Sequence, residues 1–176
     1  MSLSKNSELT GLELKIELSE EPSVRRIAGA DILGNVFSSL IIGVPLDYSA
    51  GLNLVGIISS RVFATPINIA TGGPYGRWRE KVFEFTKTDE RNSWIRKKLV
   101  EIAAFNSFQI PIYATAVAIA SAISEGAVDL EKVKEGVEYL AIASPIIGPV
   151  KGYFMNVSRR ILGVRSAEEG AYKNRG

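Results

Sequence analysis

The sequence predicts an all-α integral membrane protein of four transmembrane helices, with the N-terminus and the C-terminus both cytoplasmic. Three observations carry this expectation. Charge is crowded into residues 1–26, 77–101, 125–138 and the tail after Arg159, while the stretches between are nearly uncharged. Residues 102–124 run without a charge and show no polar face at the helical period, and about eighteen such positions suffice for a span. Lys and Arg stand before the first uncharged stretch, between the second and third, and after the fourth. The positive-inside rule then sets the orientation, and an even number of spans returns the chain to its starting side.

Distribution makes this case; bulk composition does not. Apolar residues are 46% of the 176 and mean hydropathy is only +0.11, values ordinary for a soluble protein. The sequence holds no cysteine and no histidine, which removes disulfides, thiolate nucleophiles, the usual general base and the commonest zinc ligand. A net charge of +2, scattered along the chain, gives no nucleic-acid footprint. No catalytic set, cofactor or metal site is predicted.

Residues 1–22 read as an acidic cytoplasmic tail, with no basic n-region or apolar core of a signal peptide. Leu12, Leu14, Ile16 and Leu18 alternate with Glu13, Lys15 and Glu17, a period of two that fits a short strand needing a partner. Glu20, Glu21 and Pro22 read as a helix start. The transmembrane domain covers residues 23–164, with spans at about 27–44, 52–75, 102–124 and 137–158, and 165–176 form a polar tail.

The first span carries one charge, Asp31, among small residues that favour close helix contact in lipid. Pro45, Asp47 and Gly51 make the turn. In the second span Arg61 is the only charge between Tyr48 and Gly76, Pro66 bends the helix, and Gly72-Gly73-Pro74 ends it or unwinds its last turn. The connector 77–98 holds eight Lys/Arg against four acids, with Trp78 and Trp94 as interfacial aromatics. Asp129 is expected to cap the fourth span, which contains Pro145, Pro149 and Lys151.

Depths at about 1.5 Å per residue gather the polar side chains in the cytoplasmic half of the bundle, with Arg61 near the midplane. Asp31 and Arg61 could offer an amino acid zwitterion its anion and its cation. Asn68, Asn106, Gln109 and Tyr113 are further substrate-binding candidates, and Lys151 lies on the expected pathway. Asp31 is also the candidate for carrying a coupling proton. The structural alternative is an Asp31–Arg61 salt bridge that only holds helices together, and polar residues such as Asn106, Gln109 and Lys151 often just bridge helices.

The segments SSRVFATPINI, PYGRWRE, WIRKKLVEIAAF, FQIPIY and KGYFMNVSRRIL resemble, in order and spacing, the L-alanine exporter (AlaE) family. Ala30-Asp31 and its distance to Ser60-Arg61 add to the likeness, which covers about residues 26–164. The resemblance implies a four-span inner-membrane protein that exports L-alanine, driven by the proton gradient as an antiporter, with Asp31 and Arg61 at charged positions of the family pattern. The chain departs from that pattern at Lys151, where the family has a neutral residue, and at Asn156, where it has an acid. Both changes fall near the expected path and bear on substrate and coupling.

Three classes of function fit such a chain: an exporter of a small neutral amino acid, a membrane structural or accessory protein, and a membrane enzyme acting on lipid. The last lacks any catalytic constellation, since Asp31 and Glu101 alone make a poor set. Four helices barely enclose a solute path, so a homodimer is expected, with the small-residue face of span one and the strand at 12–18 as contacts.

Overall fold

A computed structural model describes residues 22–49 and 51–173, and all of the regular structure among them is helical. The alternating stretch at 12–18 lies outside the described residues. Four long helices, α1 (Val24–Ser49), α2 (Leu54–Phe85), α3 (Trp94–Glu125) and α4 (Leu130–Ile161), precede a short α5 (Ala167–Lys173). Local chemistry sets their ends. Asn53 caps α2 by accepting from the Gly56 amide at 2.9 Å, and Ser93 caps α3. Asp129 caps α4 by accepting from Glu131 and Lys132, and the Lys132 amide foremost holds its carboxyl below the usual range. Gly126, at φ 77°, closes α3 in the left-handed conformation that glycine adopts freely. At the start of α1, Ser23 accepts from the Arg26 amide and Pro22 stands outside the helix.

Every long helix exceeds the span expected for it. At 32 residues, α2, α3 and α4 are each about 48 Å long, against a hydrocarbon core of about 30 Å. The basic stretch 77–98 is therefore mostly helix, and only 86–93 connect α2 to α3. Lys, Arg and Glu are good helix formers, so charge did not mark the boundary. Gly72-Gly73-Pro74 does not end α2 either. A Cβ at Gly72 would come within 2.7 Å of the Ile32 Cα, so this glycine lets α1 and α2 approach closely. Pro45 likewise falls inside α1.

Val24–Tyr48, Leu54–Phe85 and Trp94–Ile123 are long and apolar enough to cross a membrane. Lys151, Asn156 and the Pro and Gly positions leave α4 less apolar at equal length. The side chains are distributed in the reverse of a water-soluble bundle. Phe37, Val62, Phe63, Ile67, Ile119, Ile142 and Ile146 face outward, while Asp31, Asn35, Arg79, Glu101, Lys151 and Arg159 are buried. The chain is thus a multi-pass membrane protein built of helices.

The helices alternate in direction. α1 packs along α2 and α4, α3 packs along α4, and α2 and α3 touch more lightly. The proximal end holds the start of α1, the 86–93 connector, the end of α4 and α5. The turns at 51–53 and 126–129 form the distal end. The small-residue face of α1 is occupied within the chain: Ala30 is fully buried, Ala28 faces Gly73, and a Cβ at Gly34 would come within 2.6 Å of the Met155 Cα. Gly34→Ala should therefore destabilise the protein by about 1–3 kcal/mol. Gly29→Ala, which meets nothing within 4 Å, should leave stability unchanged or raise it by up to about 1 kcal/mol. Thermal unfolding of both variants in detergent checks this, and equal effects would contradict the packing.

Candidate functional site

Helical spacing brings the polar side chains onto inward faces. Asp31, Asn35 and Ser38 stand at i, i+4 and i+7 of α1, Tyr75 and Arg79 one turn apart on α2, and Ser144, Gly148, Lys151, Met155 and Arg159 down one stripe of α4. These residues are all buried, while Asn68, Asn106 and Phe108, which meet them in the middle of the bundle, are half-buried. They fall into three layers.

The proximal layer is ionic. Arg159 grips Asp31 with two bonds, Nε to Oδ1 at 2.6 Å and Nη2 to Oδ2 at 2.8 Å, and both side chains are fully buried. Its Nη1 donates to Glu80 Oε1 at 2.6 Å. Arg79 holds Glu101 through Nε, at 2.9 and 2.8 Å to the two oxygens, and through Nη2. Arg79 Nη1 donates to Asn156 Oδ1 at 2.9 Å, and Asn156 Nδ2 reaches the Glu168 carboxylate of α5 at 3.5 Å. Two glycines make the room: a Cβ at Gly76 would enter the Asp31 carboxylate, and one at Gly152 the Glu101 carboxylate. Such planar, two-bond pairing is what arginine offers a carboxylate, and it compensates the desolvation of both ions.

The middle layer is polar and incompletely satisfied. Lys151 is 7% exposed, and its Nζ stands 4.7 Å from the Tyr75 ring centroid and 5.7 Å from that of Phe105. Tyr75 packs on Phe108 at 5.2 Å. Asn35 Nδ2 donates to the Asn68 carbonyl at 2.6 Å. Asn106 Nδ2 donates to Ser144 Oγ at 2.9 Å, and Ser144 Oγ in turn donates to the Ala141 carbonyl. That carbonyl is the one that Pro145 deprives of its helical N–H. Asn35 Oδ1, Tyr75 Oη and Asn106 Oδ1 are buried without a partner.

The distal layer belongs to Arg61. Its Nη2 pairs with Asp47 Oδ2 at 2.8 Å and accepts no help from Asp31. Nη1 donates to the Ser39 carbonyl at 3.0 Å, and the guanidinium lies across Gly43, where a Cβ would strike it. Ser39 Oγ also receives Asn68 Nδ2 at 2.8 Å, which links this layer to the middle one.

The expected Asp31–Arg61 pair is therefore corrected. Gly43 is twelve residues beyond Asp31, so the two charges sit about 18 Å apart along the bundle. Arg61 reaches toward the end of α1, where Asp47 and the helix terminus offer anionic partners. Asp31 stands level with Gly76, and Asn68 lies at the level of Asn35 and Ser39, one to two turns further along. Tyr113 is 40% exposed and its ring packs against Gly136, toward the distal end; Gln109 is half-buried. Neither joins Lys151. Asn106 is drawn to Ser144.

Arg79, Glu80, Glu101, Arg159, Tyr75 and Asn35 were not singled out from the sequence as members of the site. A signal for three of them, Tyr75, Arg79 and Arg159, is present in the sequence. Tyr75–Arg79 and Lys151–Arg159 continue the helical repeat of residues already assigned to spans, and ending the spans early placed Arg79 and Arg159 outside them.

Comparison with known proteins then decides the family. A model of the L-alanine exporter family matches residues 19–165, most of the chain. The chain belongs to the L-alanine exporter family. Among the relatives named L-alanine exporter, one from Yersinia enterocolitica is 30% identical over 140 residues, covering 79% of this chain and 90% of that protein. One from Citrobacter koseri is 29% identical over 142 residues, covering 80% and 91%. One from Escherichia coli K12 is 27% identical over 140 residues, covering 79% and 89%. No solved structure matches the chain. The span that this member shares with the L-alanine exporter family contains all three layers of the site except Glu168.

A double-mutant cycle tests the corrected pairing. Arg159→Met should destabilise by about 3–5 kcal/mol, because it leaves the buried Asp31 carboxylate alone, Asp31→Asn should cost less, because Arg159 keeps Glu80, and the two should couple strongly. Asp31→Asn and Arg61→Met should add to within about 0.5 kcal/mol. Strong coupling between Asp31 and Arg61 in detergent unfolding would overturn the layer assignment.

Proposed function

We propose that this chain exports L-alanine, or a similar small neutral amino acid, across the cytoplasmic membrane in exchange for protons. The family match over residues 19–165 carries the reading. The inward column of polar side chains within lipid-facing helices supports it, since intramembrane ionisable groups mark solute and proton pathways.

All four long helices cross the bilayer in this reading, with the proximal end cytoplasmic because residues 77–98 and the region around Arg159 and Arg160 carry the excess of Lys and Arg. Two carboxylates, Asp31 and Glu80, share the single Arg159 guanidinium. That triad carries one uncompensated negative charge and is the place where a coupling proton can be taken up. Two copies of the chain form the working unit, since one four-helix ring leaves little room for a walled path.

One observation favours the structural alternative for part of the site. The Asp31–Arg159 pair is fully buried and fully bonded, as a helix clamp would be. Transport separates the readings. In proteoliposomes loaded with radiolabelled L-alanine, efflux should rise several-fold above protein-free vesicles when a pH gradient is imposed, and fall to background with a protonophore. Alanine retention equal to that of empty vesicles would defeat the export reading. Efflux indifferent to the gradient would leave export standing and remove proton exchange. Crosslinking in native membranes should give a two-chain product, and monomer alone would count against the dimer.

A further inference from the structure

The buried cations are not treated alike. Arg79, Arg159 and Arg61 each have a carboxylate. Lys151 does not. Among the described residues no carboxylate lies within ion-pair distance of its Nζ and no hydrogen bond reaches it. The nearby Glu101 carboxylate is taken up by Arg79. What Lys151 does have is the Tyr75 and Phe105 ring faces, which stabilise an ammonium only in part. A buried ammonium brings a full charge and three donors, and aromatic faces leave the charge unneutralised.

Tyr75 repeats the deficit. It is fully buried, touches Lys151 through its ring, and its Oη has no partner. An unpaired ammonium and an unpaired hydroxyl on facing helices make a site that lacks an anion. Asn35, buried beside Gly72 one turn along α2 from Tyr75, keeps its Oδ1 without a partner, an acceptor suited to an ammonium. The phenyl rings of Phe105 and Phe108 flank Lys151 and Tyr75.

We infer that Lys151 and Tyr75 form the carboxylate subsite of the transported amino acid. This rests on the export reading above and deepens it: the substrate's carboxylate docks on Lys151 Nζ with Tyr75 Oη as second donor, and its ammonium turns toward Asn35 Oδ1. Substrate binding then gives Lys151 its counter-ion and the Tyr75 hydroxyl its acceptor. Arg61, held by Asp47, takes no part in carboxylate recognition.

The test measures binding of radiolabelled L-alanine to the purified full chain, with propionate (carboxylate, no ammonium) and L-alaninamide (ammonium, no carboxylate) as competitors. Wild type should bind alanine, yield to propionate, and yield at least tenfold less readily to alaninamide. Lys151→Met should weaken alanine at least tenfold and abolish competition by propionate, and Tyr75→Phe should weaken it less. Without ligand, Lys151→Met should unfold at a higher temperature than wild type, because it removes a buried unpaired charge. Alanine affinity and propionate response unchanged in Lys151→Met would overturn the subsite, as would alaninamide competing as well as propionate. If Lys151→Met loses stability, Lys151→Arg decides: retained propionate competition supports the subsite and its loss refutes it. If wild type does not bind alanine at all, the alanine reading fails alone. The thermal shift given by propionate then decides the subsite, which stands if the shift requires Lys151 and falls if it does not.

Discussion

An ionised group inside a hydrocarbon layer must meet an opposite charge or water, and the interior of this protein is arranged around that demand. The answer at the proximal end is two arginine clamps, Arg159 on Asp31 and Arg79 on Glu101, each tying two helices together. Asp31 and Arg159 join α1 to α4; Arg79 and Glu101 join α2 to α3. The clamps are possible only because Gly76 and Gly152 leave space where any other residue would place a carbon. Glycine placement and charge placement are one feature of the sequence.

The same demand explains the ring of helices. Neighbouring helices meet through small residues, as Gly34 meets Met155 and Gly72 meets Ile32, which is how helices associate when lipid removes the hydrophobic drive. Across the ring, α2 and α4 are joined instead by long polar side chains: Arg79 to Asn156, Glu80 to Arg159, Tyr75 to Lys151. The backbones of α2 and α4 stand apart, and these side chains span the gap.

The sequence showed the helical class and the separation of uncharged stretches, and it drew attention to Asp31 and Lys151, because uncharged runs and lone charges are visible without partners. Pairing was not visible. Arg61 looked like the natural partner of Asp31 since both were lone charges in adjacent spans, yet register between antiparallel helices decides which charges meet, and here it sets Asp31 against Gly76 and Arg61 against Gly43. The helices run past the expected spans for a related reason. Arg79 falls in the expected connector and Glu101 between it and the third span, yet both lie on long helices that turn these charges inward. Tyr75 escaped notice because an aromatic residue near Gly72-Gly73-Pro74 reads as the end of a span until the helix is seen to continue.

Ser144 holds two obligations at once. Its hydroxyl serves the carbonyl that Pro145 leaves open in α4 and receives the amide of Asn106 from α3. The open carbonyl of one helix and the amide offered by the other are therefore tied through one hydroxyl. If α4 twists at Pro145, the hydroxyl turns with it and releases Asn106, so a change in one backbone and the loss of a cross-helix bond become a single event.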